Sequence, residues 1–136
     1  MLVTRLWKEH KMKDSIAVIG AGVIGGSIVK SLLKNGYKGR ITAADAQPEQ
    51  LGELEQLGAA ITRSNRAAVQ ASEVIFLCVK PNIIAPVLKE VAKDVEGKLV
   101  VSSAAAVTVG FCKRLAPKAR FVRMMPNVAI LVQESF

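Results

Sequence analysis

Aromatic residues are scarce in this 136-residue sequence, at 4% of the total. That is too few to stack a run of bases, which argues against a single-strand nucleic-acid binder. Cysteine is rarer still. Cys78 and Cys112 stand far apart with no CxxC spacing, and the one histidine, His10, is near neither. This excludes a disulfide scaffold and a zinc site, and it fits a reducing compartment. No apolar run reaches the roughly 18–20 residues of a membrane span, and no secretory signal pattern opens the chain. A cytoplasmic protein without a membrane partner is therefore expected. Helix-turn-helix, RNA-recognition and zinc-finger patterns are missing too, so no nucleic-acid partner is expected.

Hydrophobic residues, by contrast, make up 51% of the chain against 22% charged. That is enough to bury the core of one domain, and the length fits one domain and not two. The charge is one-sided: 19 Lys and Arg against 11 Asp and Glu give +8. Five of the cations, Lys113, Arg114, Lys118, Arg120 and Arg123, cluster near the end. An anionic ligand or partner would feel such a cluster, although a solvated helix end and loop account for it equally well. Residues 1–14, MLVTRLWKEHKMKD, read as an amino-terminal extension whose Leu2, Leu6 and Trp7 could dock as a short helix, and Met12 is an alternative start.

From Ser15 the pattern alternates. SIAVI (15–19) reads as a buried parallel strand. A helix over 23–35 follows, with Ile24, Ile28, Val29, Leu32 and Leu33 on its apolar face and Gly36 as its cap. RITAA (40–44) is a second strand, and Pro48 opens a helix through Leu57 that Gly58 ends. The same reading places strands over 59–62, 73–79, 98–103 and 120–125, and helices over 66–71, 83–93 and 108–115. Strands and helices in strict alternation with short loops imply right-handed crossovers. The expected fold is α/β: a Rossmann-type, doubly wound, mostly parallel sheet with helices on both faces, spanning 15–136.

The first strand runs directly into Gly20-Ala21-Gly22-Val23-Ile24-Gly25, a G-x-G-x-x-G with Gly26 adjoining. Such a motif is weak alone. A strand before it, a helix after it and an acid twenty residues on make it specific for a dinucleotide. Gly20 permits the tight turn, Gly22 lets a pyrophosphate approach the backbone, and Gly25 lets helix and sheet pack closely. Ile19 before the turn and Val23 and Ile24 within it belong to the same candidate site. Free N–H groups at the helix start then meet the phosphate. Asp45, ending the second strand, can accept from the adenosine ribose and repel a 2′-phosphate, which favours NAD over NADP. An alternative role is N-cap of the segment opening at Pro48. The basic surplus argues the other way on cofactor choice.

Four further segments narrow the reading: Ser64-Asn65-Arg66; Val74 through Pro81 (VIFLCVKP); Val100 through Thr108 (VVSSAAAVT); and Val122 through Asn127 (VRMMPN). In this order and spacing they resemble the amino-terminal domain of pyrroline-5-carboxylate reductase, which reduces a cyclic imine, 1-pyrroline-5-carboxylate, to proline with NAD(P)H. The resemblance runs from about Ser15 to the last residue. It implies that Asn65 lies by the adenosine ribose, that Cys78, Val79, Lys80 and Pro81 line the cofactor, and that Ser103, Ala104 and Ala105 edge the nicotinamide. Asn127, after Met125-Pro126, would close that end. No catalytic residue is assigned by this resemblance.

Three departures from the family stand out. Ala106 replaces the usual glycine, Val128-Ala129 replace Thr-Pro, and the sequence stops at Phe136 where the family continues into a helical domain that dimerises and holds the imine. The expectation is thus a cofactor-binding chain without turnover of its own, with Val128, Ile130, Leu131 and Val132 available for self-association. Two alternatives remain: a stand-alone dinucleotide-binding or sensing module, and the cofactor domain of a related reductase with another substrate, deazaflavin-dependent ones included.

Overall fold

The computed structural model describes residues 15–125. Asn127 and the apolar Val128, Ile130, Leu131 and Val132 lie outside the described residues, as does the 1–14 extension. The elements are β1 (Ser15–Ile19), α1 (Val23–Lys34), β2 (Arg40–Ala44), a 3-10 turn (Pro48–Gln50), α2 (Gly52–Gln56) and β3 (Ala60–Thr62). Then come α3 (Asn65–Gln70), β4 (Val74–Leu77), α4 (Pro81–Val91), β5 (Leu99–Ser102), α5 (Val109–Leu115) and β6 (Arg120–Arg123).

The six strands form one sheet in the order β3-β2-β1-β4-β5-β6, and every pair is parallel. Strand order reverses between β1 and β4, where a doubly wound sheet opens its ligand crevice. Register brings Ile19 level with both Ala44 and Leu77, so the carboxyl ends of β2, β1 and β4 finish together.

Why the central strands are mostly apolar follows from the two layers around them. Ile16, Val18, Phe76 and Val101 pack on one face with Ile28 and Leu32 of α1 and Leu54 of α2. Their neighbours Ala17, Ile19, Ile75, Leu77 and Val100 pack on the other, with Val69 of α3, Ile84 and Leu88 of α4 and Cys112 of α5. Alternate side chains point to opposite faces. With helices on both sides, the buried positions 16–19 of β1 and 74–77 of β4 cannot be polar at low cost. Each fully buried side chain such as Phe76 or Ile84 contributes about 1.5–3 kcal/mol relative to exposure.

Local differences from the sequence expectations have local causes. The helix expected over 48–57 is broken into the 3-10 turn and α2, with Gly52 opening the second piece; glycine is a poor helix interior residue. Helix α4 starts at Pro81, two residues earlier than expected, because proline is favoured in the first helical turn. It also stops earlier, at Val91. The cap after α1 is Asn35, with Gly36 one residue beyond at φ +81°. The strands around 73–79 and 120–125 are shorter than expected, yet Cys78 N–H still donates to Ile19 C=O at 2.8 Å and Met124 N–H to Ser102 C=O at 2.8 Å. Among the described residues no helix is long and apolar enough to cross a membrane.

Candidate functional site

A cleft of about 560 Å³ opens at the carboxyl ends of β1, β2 and β4. Ile19, Gly20 and Gly22 form its floor; Ala44, Asp45, Ala46, Gln47 and Gln50 form one wall; Asn65 stands at the start of α3. The opposite wall is Cys78, Val79 and Lys80, continued along α4 by Ile83 and Val87.

The glycine turn is built for close approach. Gly20 sits at φ +93°, a conformation side chains resist, and a Cβ there would lie 2.8 Å from the Cys78 carbonyl oxygen. A Cβ on Gly25 would run into the Gly20 carbonyl oxygen and press Val18, so α1 can seat against the turn only with glycine at this position. Gly22 is the opposite case. It is the N-cap of α1, and a Cβ on it would meet nothing within 4 Å. That open space faces the first turn of a twelve-residue helix whose N-cap offers no side-chain hydrogen bond and whose first turn holds no acid. Uncapped N–H groups at a helix start are an anion site in waiting.

Asp45 is tied to this turn. Its Oδ2 accepts the Ala21 N–H at 2.8 Å and its Oδ1 accepts the Gln47 N–H at 2.9 Å. Asp45 therefore does not cap the Pro48 segment, whose N-cap is Gln47; the alternative role expected from sequence gives way to an Asx turn, because the carboxylate reaches only two residues along. Beside it Arg63 donates to the Ala46 carbonyl at 3.2 Å. Asn65 donates through Nδ2 to Glu90 Oε1 at 3.0 Å.

Cys78 is half-buried at the cleft wall, and burial pushes its thiol up to about 12, opposed by a hydrogen bond with Ser103. It is a neutral packing group at physiological pH and not a nucleophile. Cys112, buried under α5, is also raised by burial, with Arg123 pulling the other way.

The structure thus brings Ile19, Gly20, Gly22, Asp45, Asn65, Cys78, Val79 and Lys80 around one cleft. Val23 is 68% exposed and lines an adjoining hollow of about 350 Å³, which shares Gly22 and Gln50 with the cleft and has Lys30 and Glu53 paired at 3.0 Å among its other residues. Ile24 packs on the core, Gly25 is buried, and Pro81 is the exposed first residue of α4. Ser103, Ala104 and Ala105 do not line the cleft. They follow β5 next to it, where Ser103 N–H donates to Leu77 C=O at 3.1 Å and Arg123 holds the Ala105 carbonyl. Sequence reading missed Gln47, Gln50, Ile83 and Val87. For the last two the signal was there: an apolar pair four apart at the start of a helix facing a strand end. Among the described residues no group of His, Cys, Asp and Glu could hold a metal ion.

A parallel sheet in this order, with a glycine turn and an acid at its crevice, defines a Rossmann-type dinucleotide-binding domain. Residues 15–106 match the family described as NADP oxidoreductase, coenzyme F420-dependent, and the chain belongs to that family as its amino-terminal NAD(P)-binding domain. Within it the similarity is to pyrroline-5-carboxylate reductases. The Pasteurella multocida (strain Pm70) enzyme of that name is 38% identical over 127 residues, covering 88% of this chain and 46% of that protein. Human pyrroline-5-carboxylate reductase 2 is 33% identical over 129 residues, covering 88% and 40%. A solved pyrroline-5-carboxylate reductase from Coxiella burnetii superposes with a TM-score of 0.82 at 32% identity, over 86% of this chain and 45% of that one. The chain spans less than half the length of these relatives.

Proposed function

We propose that the chain is the cofactor-binding part of a pyrroline-5-carboxylate reductase, that it takes NADH in preference to NADPH, and that it works in the reducing cytoplasm its free thiols suit. The open space over Gly22 carries this reading. A pyrophosphate laid there meets the first-turn N–H groups of α1 without striking a side chain. The adenosine half then lies toward Asp45, Asn65 and the apolar pair Ile83 and Val87, with Lys80 adding positive charge at the rim. The Asp45 carboxylate favours a ribose with a free 2′-hydroxyl and disfavours a 2′-phosphate.

When bound, the dinucleotide supplies the hydride. The residues of this chain bind and orient it: Ser103, Ala104 and Ala105, small and placed after β5, leave room beside the cleft for the nicotinamide, and Arg123 steadies that loop through the Ala105 carbonyl. Holding the imine against the nicotinamide takes a second surface, and correct placement of two reactants is worth on the order of 7–11 kcal/mol of a barrier. The residues lining the cleft are assigned to the cofactor, and the imine-facing surface is assigned to groups outside that lining.

Titration of the chain with NADH and NADPH at one salt concentration tests cofactor choice, with tighter NADH binding expected. NADH oxidation with the cyclic imine tests the rest. Turnover matching that of a full-length relative would contradict the division of labour, and binding of neither dinucleotide would contradict the site.

A further inference from the structure

We propose that Asp45 is a positioning residue for the glycine turn, holding Ala21 so that the turn keeps its phosphate-accepting shape and every dinucleotide depends on it, whatever its ribose carries. The proposal deepens the dinucleotide reading of the cleft and rests on it.

The turn is fixed on three sides. At its entrance Gly20 N–H donates to Ala44 C=O at 2.8 Å, and the Cys78 carbonyl stands so close that a Cβ on Gly20 would lie 2.8 Å from its oxygen. At its exit Gly25 seats under the Gly20 carbonyl. Between them Ala21 and Gly22 form the arm that faces the ligand, and above Gly22 there is only open space. What holds the arm is Asp45, whose Oδ2 reaches across twenty-four residues of sequence to the Ala21 N–H. Its Oδ1 is anchored in turn by the Gln47 N–H. Two consecutive residues at the end of β2, Ala44 and Asp45, therefore grip two consecutive residues of the turn.

A carboxylate suits this post. Both of its oxygens face N–H donors, it accepts only, and its charge strengthens each bond. Asparagine would present an NH₂ to one of the two donors, and serine is too short to span them. Ala21 is 4% exposed, so an Ala21 N–H left without its acceptor is shielded from water and the turn has to move to satisfy it. Asp45 also lines the cleft, so a ribose contact and the grip on Ala21 coexist. The consequence is specific: removing the Asp45 charge, the obvious step toward accepting a 2′-phosphate, loosens the phosphate turn as well.

The test uses the 136-residue chain with Asp45→Ser and Asp45→Asn, measuring amide hydrogen exchange of Ala21 without ligand and affinity for NADH and NADPH. In Asp45→Ser, Ala21 exchange should rise on the order of tenfold, and affinity for both dinucleotides should fall on the order of tenfold or more, as loss of a charge-assisted bond implies. Asp45→Asn, which keeps one acceptor and nearly the same shape, should fall between, and it carries the comparison if the serine variant does not fold. Unchanged Ala21 exchange, or NADPH affinity that rises while only NADH affinity falls, would overturn the proposal. A parent chain that bound neither dinucleotide would instead remove the reading of the cleft, with Ala21 exchange still deciding whether Asp45 holds the turn.

Discussion

Helices α1 and α5 begin in opposite ways. At α5 the Thr108 hydroxyl accepts the Phe111 N–H at 3.0 Å, and the helix closes its own first turn. At α1 the same place is Gly22, which has no side chain to offer. Ser64 caps α3 as Thr108 caps α5, accepting from Ala67 N–H at 3.1 Å, while α4, which borders the cleft, starts from Lys80 with no side-chain cap. A serine or threonine cap is worth about 1 kcal/mol. Giving it up at α1 leaves donors for something outside the chain. The helices α1 and α4 that border the cleft start without a side-chain cap, whereas α5, outside the cleft lining, closes its own first turn.

The largest break in this contrast is at Gly25. Gly25→Val places a branched side chain against the Gly20 carbonyl and Val18. It should destabilise the domain by about 3 kcal/mol or more, seen as a lowered midpoint in denaturant, because neither backbone nor β1 can yield. Thr108→Ala is the complementary change. It should cost about 1 kcal/mol of stability and leave NADH affinity within error, since Thr108 is not among the residues lining the cleft. Loss of NADH binding in Thr108→Ala would erase the distinction between the two helix starts.

The smallest effect is electrostatic. Arg66 donates to Asp94 at 3.0 Å, and Gln70 donates to the other carboxylate oxygen at 3.0 Å, linking α3 to the turn after α4. The Arg66 bond first and the Gln70 bond second hold the Asp94 carboxyl below its ordinary value near 3.8. A depressed carboxyl contributes stability that is fully present above its unfolded value and is lost as pH falls through the folded one. Melting Asp94→Asn beside the parent at pH 7 and pH 3 should therefore show a variant slightly less stable at pH 7, with the gap closing at pH 3. The difference is small, since Arg66 is largely exposed and the pair is screened.

Much of this was legible in the residues. Strand–helix alternation identified all six strands, and the G-x-G-x-x-G with Asp45 located the crevice, because both signals depend on local pattern. The differences lie where tertiary context decides. The helix expected over 48–57 is split just before Gly52, and Leu51 and Leu54, on either side of that glycine, are both buried. Val23 belongs to the motif by sequence and lines the hollow adjoining the cleft. That Asp45 turns both oxygens to backbone N–H groups was unreadable, because it depends on how close β2 brings its end to the turn. Ser103 to Ala105 were assigned by resemblance, and their geometry places them next to the cleft and not in its lining.

The most direct test is calorimetric titration of NADH into the parent chain and into Gly22→Val. Gly22 sits at φ −74° with no neighbour near its missing side chain, so valine fits the free protein and the melting temperature should hardly move. The branched side chain would fill the open space proposed for the pyrophosphate. The account predicts a clear binding heat in the parent and none in the variant. Equal affinity in the two would show that the open start of α1 is not where the dinucleotide binds.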